Sequence, residues 1–98
     1  MTATRRSRLE LVFDILLSIQ NKGGKIKPTH LMYKSNLSHK LLNSYLEELL
    51  QKGLVEVKEE EPKKRRQKIN KFIHITEKGL GFLEEFRRMK EFTNAFGL

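Results

Sequence analysis

The chain has 98 residues, enough for one domain that buries about 60–65% of the surface of its unfolded chain. Its formal net charge of +8 favours a polyanionic partner, either nucleic acid or an acidic membrane surface. The sequence contains no cysteine, which excludes disulfide frameworks, thiolate zinc sites and thiol nucleophiles, and no apolar stretch reaches the ~20 residues that cross a bilayer. We therefore expect a soluble cytoplasmic protein with no membrane partner.

Residues 1–6 are predicted to be a flexible basic N-terminus, and a first helix is predicted over residues 7–20. Its apolar residues recur at helical spacing: Leu9, Val12, Phe13, Leu16 and Ile19. The segment 21–24, Asn-Lys-Gly-Gly, is typical of a helix end. Leu11 and Ile15 widen the apolar stripe to a second face. That face either joins the core of the same chain or contacts another subunit.

Two further helices are predicted before the sequence changes period. Pro28 or Thr29 opens a short second helix that ends before Asn36. Ser38 is a favourable N-cap for a third helix, and Gly53 is a favourable C-terminal stop. The apolar positions predicted to share one face of this helix are Leu41, Leu42, Tyr45, Leu46 and Leu49.

A β-hairpin is predicted next, because residues 54–58 alternate apolar with polar and residues 69–75 do so less cleanly. The segment 59–68 between them is the predicted hairpin tip, with Pro62 at the turn. The positive charge is concentrated here. Residues 63–71 hold six cations and no acid, whereas the rest of the chain carries 14 Lys and Arg against 12 Asp and Glu. The glutamates of 59–61 are most simply a solvated hairpin arm.

A long final helix is predicted to begin after Thr76, its N-cap, and to continue to the C-terminus. Leu80 and Leu83 are predicted to pack on the protein's own domain. A second set of positions recurs at alternating steps of four and three, as in a coiled-coil seam: Phe82, Phe86, Met89, Thr93 and Phe96. We expect a homodimer built on this seam with help from Leu11 and Ile15; the alternative is that the aromatic residues fold back over the monomer's own core.

The element order, three helices, two strands and a helix, predicts a mainly α fold with a small β-hairpin, the winged helix-turn-helix. The winged-helix domain is predicted over residues 7–79 with the wing at 59–68, and the C-terminal helix over residues 76–98. Three segments carry a family resemblance: LMYKSNLS (31–38), YLEELLQKGLVEV (45–57) and ITEKGLGFLEEF (75–86). Over about residues 7 to 92 the chain resembles the ten-kilodalton archaeal DNA-binding proteins that dimerise through a C-terminal helix. It departs from their pattern at His39, where that family often has an aromatic residue, and in a longer, more basic wing.

This resemblance implies binding to double-stranded DNA by a transcriptional regulator associated with the nucleoid. In a winged helix the third helix enters the major groove and the wing reaches over the backbone toward the minor groove. Lys40 can contact guanine or phosphate, and Asn43 can pair with adenine. The candidate DNA contacts on the third helix are Ser38, His39, Lys40, Asn43 and Ser44. Those in the wing are Lys63, Lys64, Arg65, Arg66 and Lys68.

Other functions are weighed against DNA binding. A winged helix can instead serve protein or RNA contacts in a larger assembly, or coat DNA without sequence preference as a chromatin protein. An enzyme is not expected, because the three histidines, His30, His39 and His74, lack metal-ligand spacing and the acidic residues occur in adjacent runs. We expect no cofactor and find no evident small-molecule ligand.

Overall fold

The computed structural model describes residues 7–61 and 70–98. These form helices α1 (Arg8–Asn21), α2 (Pro28–Ser35), α3 (His39–Gln51) and α4 (Glu77–Ala95), and strands β1 (Lys25–Ile26), β2 (Val55–Glu60) and β3 (Asn70–Ile75). The predicted fold class and the predicted order of helices and hairpin strands are confirmed. The predictions for residues 1–6 and for the wing cations lie outside the described residues.

Short polar side chains cap three of the helices. The Ser7 hydroxyl accepts the Glu10 backbone N–H at 3.1 Å, the Ser38 hydroxyl accepts that of Leu41 at 3.2 Å, and the Thr76 hydroxyl accepts that of Gly79 at 3.1 Å. Each cap satisfies one of the backbone donors that the first turn of a helix leaves unpaired. Asn36 makes the turn between α2 and α3 in the left-handed region, at φ 55°. The serine and threonine positions therefore set where these helices begin.

The sheet has three antiparallel strands in the order β1-β3-β2. β2 and β3 pair from Val55 opposite Ile75 to Glu60 opposite Asn70. Strand β1 was not predicted, because two residues are too few to show a period. It pairs Lys25 with His74 and Ile26 with Ile73, so it closes the edge of β3 beside α1.

The core lies between α1, the inner face of the sheet and the buried stripes of the other helices. Its fully or nearly fully buried members are Val12, Ile15, Leu16, Ile19, Ile26, Leu31, Leu42, Leu46, Leu49, Val55, Ile73 and Leu83. At about 25 cal/mol per Å² of apolar area, each such aliphatic side chain contributes roughly 1.5–3 kcal/mol to folding. α1 packs against α2, the sheet and α4, which makes it the central helix.

Two predicted inward positions are wrong. Leu41 is 43% exposed, because the buried stripe of α3 runs through Leu42, Leu46 and Leu49 and leaves Leu41 on the flank. Leu80 is 40% exposed, because α4 turns Gly79, Leu83 and Phe86 toward the domain. In α3 the following residue, Leu42, is buried instead, and in α4 the preceding residue, Gly79, is buried instead.

The second face of α1 belongs to the protein's own core at Ile15. This side chain is fully buried, so in this fold it offers no surface to a second subunit, and its predicted part in a dimer contact is corrected. Leu11, one turn earlier, is only partly buried.

Candidate nucleic-acid interface

The exposed face of α3 is polar from its first turn. Lys40, Ser44 and Glu47 follow at helical spacing on the side opposite the buried leucines, and all three are exposed. Ser38 and His39, at the helix start, are exposed as well. The structure therefore brings four of the five residues predicted on this helix to one surface and places the fifth, Asn43, at its edge.

Asn43 lies on the side of α3 that faces the sheet. Its amide nitrogen is 3.3 Å from Nδ1 of His39, one turn earlier. Asn43 also lines a cavity of about 280 Å³ between α3 and the sheet, together with Leu46 and Lys71. Asn43 thus stands between the open face of α3 and the hairpin.

The opposite flank of α3 is held to α1. Arg8, in the first turn of α1, forms an ion pair with Glu48 of α3, and its guanidinium carbon lies 5.8 Å from the centroid of the Tyr45 ring. Both partners of the ion pair are partly solvated, so it contributes at most about 1 kcal/mol to stability. The ion pair also has a geometric effect: it joins the start of α1 to the flank of α3, the helix that carries the polar face.

The described arms of the hairpin combine basic, acidic and aromatic groups. Lys25 Nζ lies 2.5 Å from Glu60 Oε1 and 4.8 Å from the centroid of the Phe72 ring, while Lys27 Nζ lies 6.0 Å from the same ring. Glu60 of β2 therefore pairs across β3 with Lys25 of the opposite edge strand, β1, instead of extending freely into solvent. Lys71 is exposed opposite Glu59 and extends the basic segment into the described part of β3.

The predicted seam of α4 divides into two parts. Phe82 and Phe86 pack within the chain: the ring centroids of Phe86 and Phe13 are 4.6 Å apart, and those of Phe82 and Phe86 are 6.0 Å apart. Phe86 is buried by these contacts. Thr93 is half-buried, and its hydroxyl donates to the Lys90 carbonyl at 3.0 Å. The structure therefore gives Phe86 the alternative role, packing over the monomer's own core.

The C-terminal part of α4 remains exposed. Met89, Phe92 and Phe96 are 44%, 61% and 68% exposed, and the Phe92 and Phe96 ring centroids are 5.0 Å apart. Sequence reasoning missed Phe92, although its spacing of four residues from Phe96 and three from Met89 was the available signal.

Thr76 links the end of α3 to the start of α4. Its hydroxyl donates to the Gly53 carbonyl at 2.6 Å and accepts the Gly79 backbone N–H at 3.1 Å, and its own backbone N–H donates to the Leu54 carbonyl at 3.2 Å. Lys78 adds a bond from Nζ to the Lys52 carbonyl at 2.8 Å. The turn that ends α3 and the first turn of α4 are thus joined by three hydrogen bonds, while the Gly79 bond caps α4 itself.

The sequence as a whole matches a known family. A sequence model of the family described as winged helix-turn-helix matches residues 5–94. The chain belongs to this winged helix-turn-helix family. Within residues 7–61 and 70–98, no cluster of three or more His, Cys, Asp or Glu side chains is placed to hold a metal ion. Over the same residues, no helix of this winged helix-turn-helix protein is both long and apolar enough to cross a membrane.

Solved structures with a similar fold include DNA-binding proteins. Sso10a-2, a DNA-binding protein from Sulfolobus solfataricus, is 27% identical, with a TM-score of 0.67 over 94% of this chain and 90% of that one. A cysteine-to-serine mutant of MarR from E. coli, complexed with operator DNA, is 26% identical, with a TM-score of 0.61; the match covers 76% of this chain and 49% of MarR. Diamide-treated YodB from B. subtilis is 22% identical, with a TM-score of 0.68 over 92% and 82% of the two chains. No curated protein matches the chain. The similarity to Sso10a-2 confirms the predicted resemblance to small archaeal winged-helix proteins.

Proposed function

We propose that this winged helix-turn-helix protein binds double-stranded DNA as a regulator of transcription, with α3 in the major groove and the wing over the backbone or minor groove. The observation that carries the proposal is the polar, exposed face of α3 on a helix whose opposite side is buried in the core. The similarity to Sso10a-2 and to MarR, which was solved with its operator, supports it. The mechanism is binding, without catalysis.

Within this interface the exposed residues differ in what they can recognise. Lys40 can donate to guanine or to a phosphate, and the Asn43 amide can both donate to and accept from adenine. Ser44 and the helix-start residues Ser38 and His39 are suited to base edges or phosphates. Glu47 lies on the same face and repels phosphate, so it restricts how deeply the C-terminal half of α3 approaches the backbone.

A salt titration separates this proposal from the RNA or protein-binding alternative. With about six phosphate contacts per subunit, we expect the affinity for duplex DNA to fall about a thousandfold between 50 and 200 mM salt. Measurements by fluorescence anisotropy would use a duplex, its two single strands and a duplex RNA of the same length. Tighter binding to the duplex RNA, or to either single DNA strand, than to duplex DNA would contradict the proposal.

Asn43→Ala should distinguish base reading from backbone contact. We expect the loss of about 1–3 kcal/mol at a preferred site selected from random duplexes, and a much smaller loss on unselected duplex. The loss arises because the alanine leaves the adenine edge without its partner.

Asn21→Ala supplies the matched control, since Asn21 is an exposed asparagine at the end of α1. Equal losses for Asn43→Ala on both DNAs would reassign the residue to the backbone. If selection from random duplexes yields no preferred site, the result favours a chromatin protein without sequence preference over a transcriptional regulator.

We further propose that the protein is a homodimer built on the exposed part of α4. Met89, Phe92 and Phe96 follow at steps of three and four, so they form one apolar face beyond the monomer's core. Beside it, an open groove of about 370 Å³ between α1 and α4 is lined by Phe13 and Phe86 and by six charged or polar side chains. A second copy of the same helix offers aromatic side chains to such a groove, and large unpaired apolar patches are uncommon on monomers.

Met89→Lys combined with Phe96→Lys should convert the dimer into a folded monomer, because each lysine places a charge in the apolar contact. Sedimentation at tens of micromolar protein measures the change. Leu80→Lys is the matched control, since Leu80 has similar exposure to Met89 on the same helix. A wild type that sediments as a monomer would refute the dimer.

A further inference from the structure

Leu41 is an apolar side chain beside the polar face of α3. It lies in the first turn of the helix and is 43% exposed on the flank toward α1. When a helix lies in the major groove of DNA, the side chains near its N-terminus contact the base edges. Glu47 restricts the approach of the C-terminal half of α3 to the backbone. The N-terminal half, which carries Leu41, is therefore the part that comes closest to the bases.

Leu41 shares an open hollow with Ser44, which follows it by one turn. The hollow has a volume of about 230 Å³ and is lined by Arg8, Leu41, Ser44, Tyr45 and Glu48. Side chains at positions i and i+3 of a helix lie side by side, with their Cβ atoms about 5–6 Å apart. The aliphatic group of Leu41 and the hydroxyl of Ser44 are therefore neighbours in the wall of this hollow.

The acidic residue of the hollow does not present an unpaired charge. Glu48 forms its ion pair with Arg8, whose guanidinium carbon lies 5.8 Å from the centroid of the Tyr45 ring. An unpaired carboxylate at this place would repel the phosphates beside the groove. Because Arg8 balances the charge, the flank that carries Leu41 can approach DNA.

The pairing of an aliphatic group with a hydroxyl fits one feature of the major groove. Thymine presents its O4 acceptor beside a C5-methyl group, whereas cytosine presents an N4 amino donor and no methyl group. A serine hydroxyl can donate to O4 or accept from N4, so Ser44 tolerates both pyrimidines. An apolar contact with the C5-methyl group distinguishes them, and Leu41 supplies an exposed apolar side chain at the right end of α3.

We propose that Leu41 recognises the C5-methyl group of a thymine in the major groove, with Ser44 hydrogen-bonded to the same base. This role for Leu41 rests on the proposed placement of α3 in that groove. It gives the helix a source of base preference that the tolerant hydroxyl of Ser44 does not provide. Since 5-methylcytosine carries its methyl group at the same ring position, such a contact favours 5-methylcytosine over cytosine as well.

The DNA side of the contact is tested with the unmodified protein. A preferred duplex is selected from random sequences, and each of its thymines is replaced singly by deoxyuridine, which lacks only the C5-methyl group. We expect a position at which the affinity, measured by fluorescence anisotropy, falls about fourfold, the factor that corresponds to one buried methyl group. A cytosine·guanine pair at that position should bind more weakly still, and methylation of the cytosine at C5 should restore about fourfold.

Leu41→Ala tests the protein side in the same titrations. We expect this variant to bind the thymine and deoxyuridine duplexes equally, because the methyl group has lost its partner in both. Leu50→Ala is the matched control, since Leu50 is a leucine of the same helix that is 39% exposed on the flank toward the sheet. It should retain the full preference for thymine over deoxyuridine. Far-UV circular dichroism verifies that both variants are folded.

Three outcomes would overturn the role of Leu41: deoxyuridine without effect at every thymine, an equal loss on deoxyuridine for the wild type and Leu41→Ala, or the absence of any preferred duplex. In the first two cases the protein still binds a preferred duplex, so the proposed function stands without this contact. Failure to bind any duplex DNA would refute the proposed function, and the role of Leu41 with it.

Discussion

Replacing the four cations of residues 63–66 with glutamine should weaken binding to every duplex by about the same factor. Phosphate contacts release condensed counterions and carry little sequence information, and each contact contributes about 0.9 to the slope of log K against log salt. Loss of four contacts should therefore reduce that slope by about 3–4. Anisotropy titrations at several salt concentrations, on a preferred site and on a random duplex, measure both quantities.

The control for this variant replaces four exposed cations away from the wing and from the proposed dimer contact: Lys22, Lys34, Lys52 and Arg88. It changes the net charge equally but leaves the wing intact. We expect a much smaller change in slope, because these charges act only through the screened long-range field. Equal slopes for the wild type and the wing variant would show that the wing makes no phosphate contacts and would contradict its place in the DNA interface.

Gly79→Ala should destabilise the protein, although alanine is the better helix former by about 1 kcal/mol. A Cβ at this position would lie 2.4 Å from the Leu54 carbonyl oxygen and 2.7 Å from Cγ1 of Ile75. The Leu54 carbonyl is held by the Thr76 backbone N–H, so it has little freedom to withdraw. We expect a net loss of about 1–3 kcal/mol in the free energy of unfolding, measured by urea denaturation.

Gly81, two residues later on the same helix, supplies the matched control. A Cβ there meets no atom within 4 Å, and the residue is exposed. Gly81→Ala should therefore stabilise the protein by about 0.5–1 kcal/mol, the gain in helix propensity. Opposite signs for the two substitutions support the close packing of α4 on the end of α3; a stabilising Gly79→Ala would contradict it.

The sequence predicts the helices well because their signals are local. Ser38 and Thr76 were predicted as N-caps and act as such, and Pro28 occupies the first position of α2. A capping side chain and an apolar stripe are both contained in the segment that they define. The same holds for the hairpin, whose paired strands differ from the predicted ranges by one or two residues.

What the sequence could not supply depends on other parts of the chain. Leu41 and Leu80 each lie beside a buried stripe, and only the direction from which α1 and the hairpin cover these helices decides which neighbour is inward. Strand β1 exists because β3 offers an open edge to Lys25 and Ile26, not because two residues favour a strand.

The candidate site was predictable in composition but not in orientation. The polar residues of α3 were identified from the sequence, yet their spacing alone does not reveal that Asn43 turns toward the sheet. The cleft beneath it is formed by residues as distant as Pro28, Leu50 and Lys71, which no single segment brings together. The exposed aromatic face of α4 was missed in part for the same reason, since Phe86 is withdrawn from it by Phe13 of α1.

In the proposed dimer, the hydrogen bonds around Thr76 fix the position of α3 relative to α4 in each copy. Because Thr76 and Lys78 join the first turn of α4 to the turn that ends α3, the distance between the two copies of α3 follows from how the two copies of α4 cross. Two half-sites about 34 Å apart, one turn of the double helix, suit such a pair. Inserting a single base pair between the half-sites moves one of them by about 3.4 Å and rotates it by roughly a tenth of a turn around the helix axis. The protein should therefore discriminate between operators by the length of the spacer as well as by the bases that α3 touches.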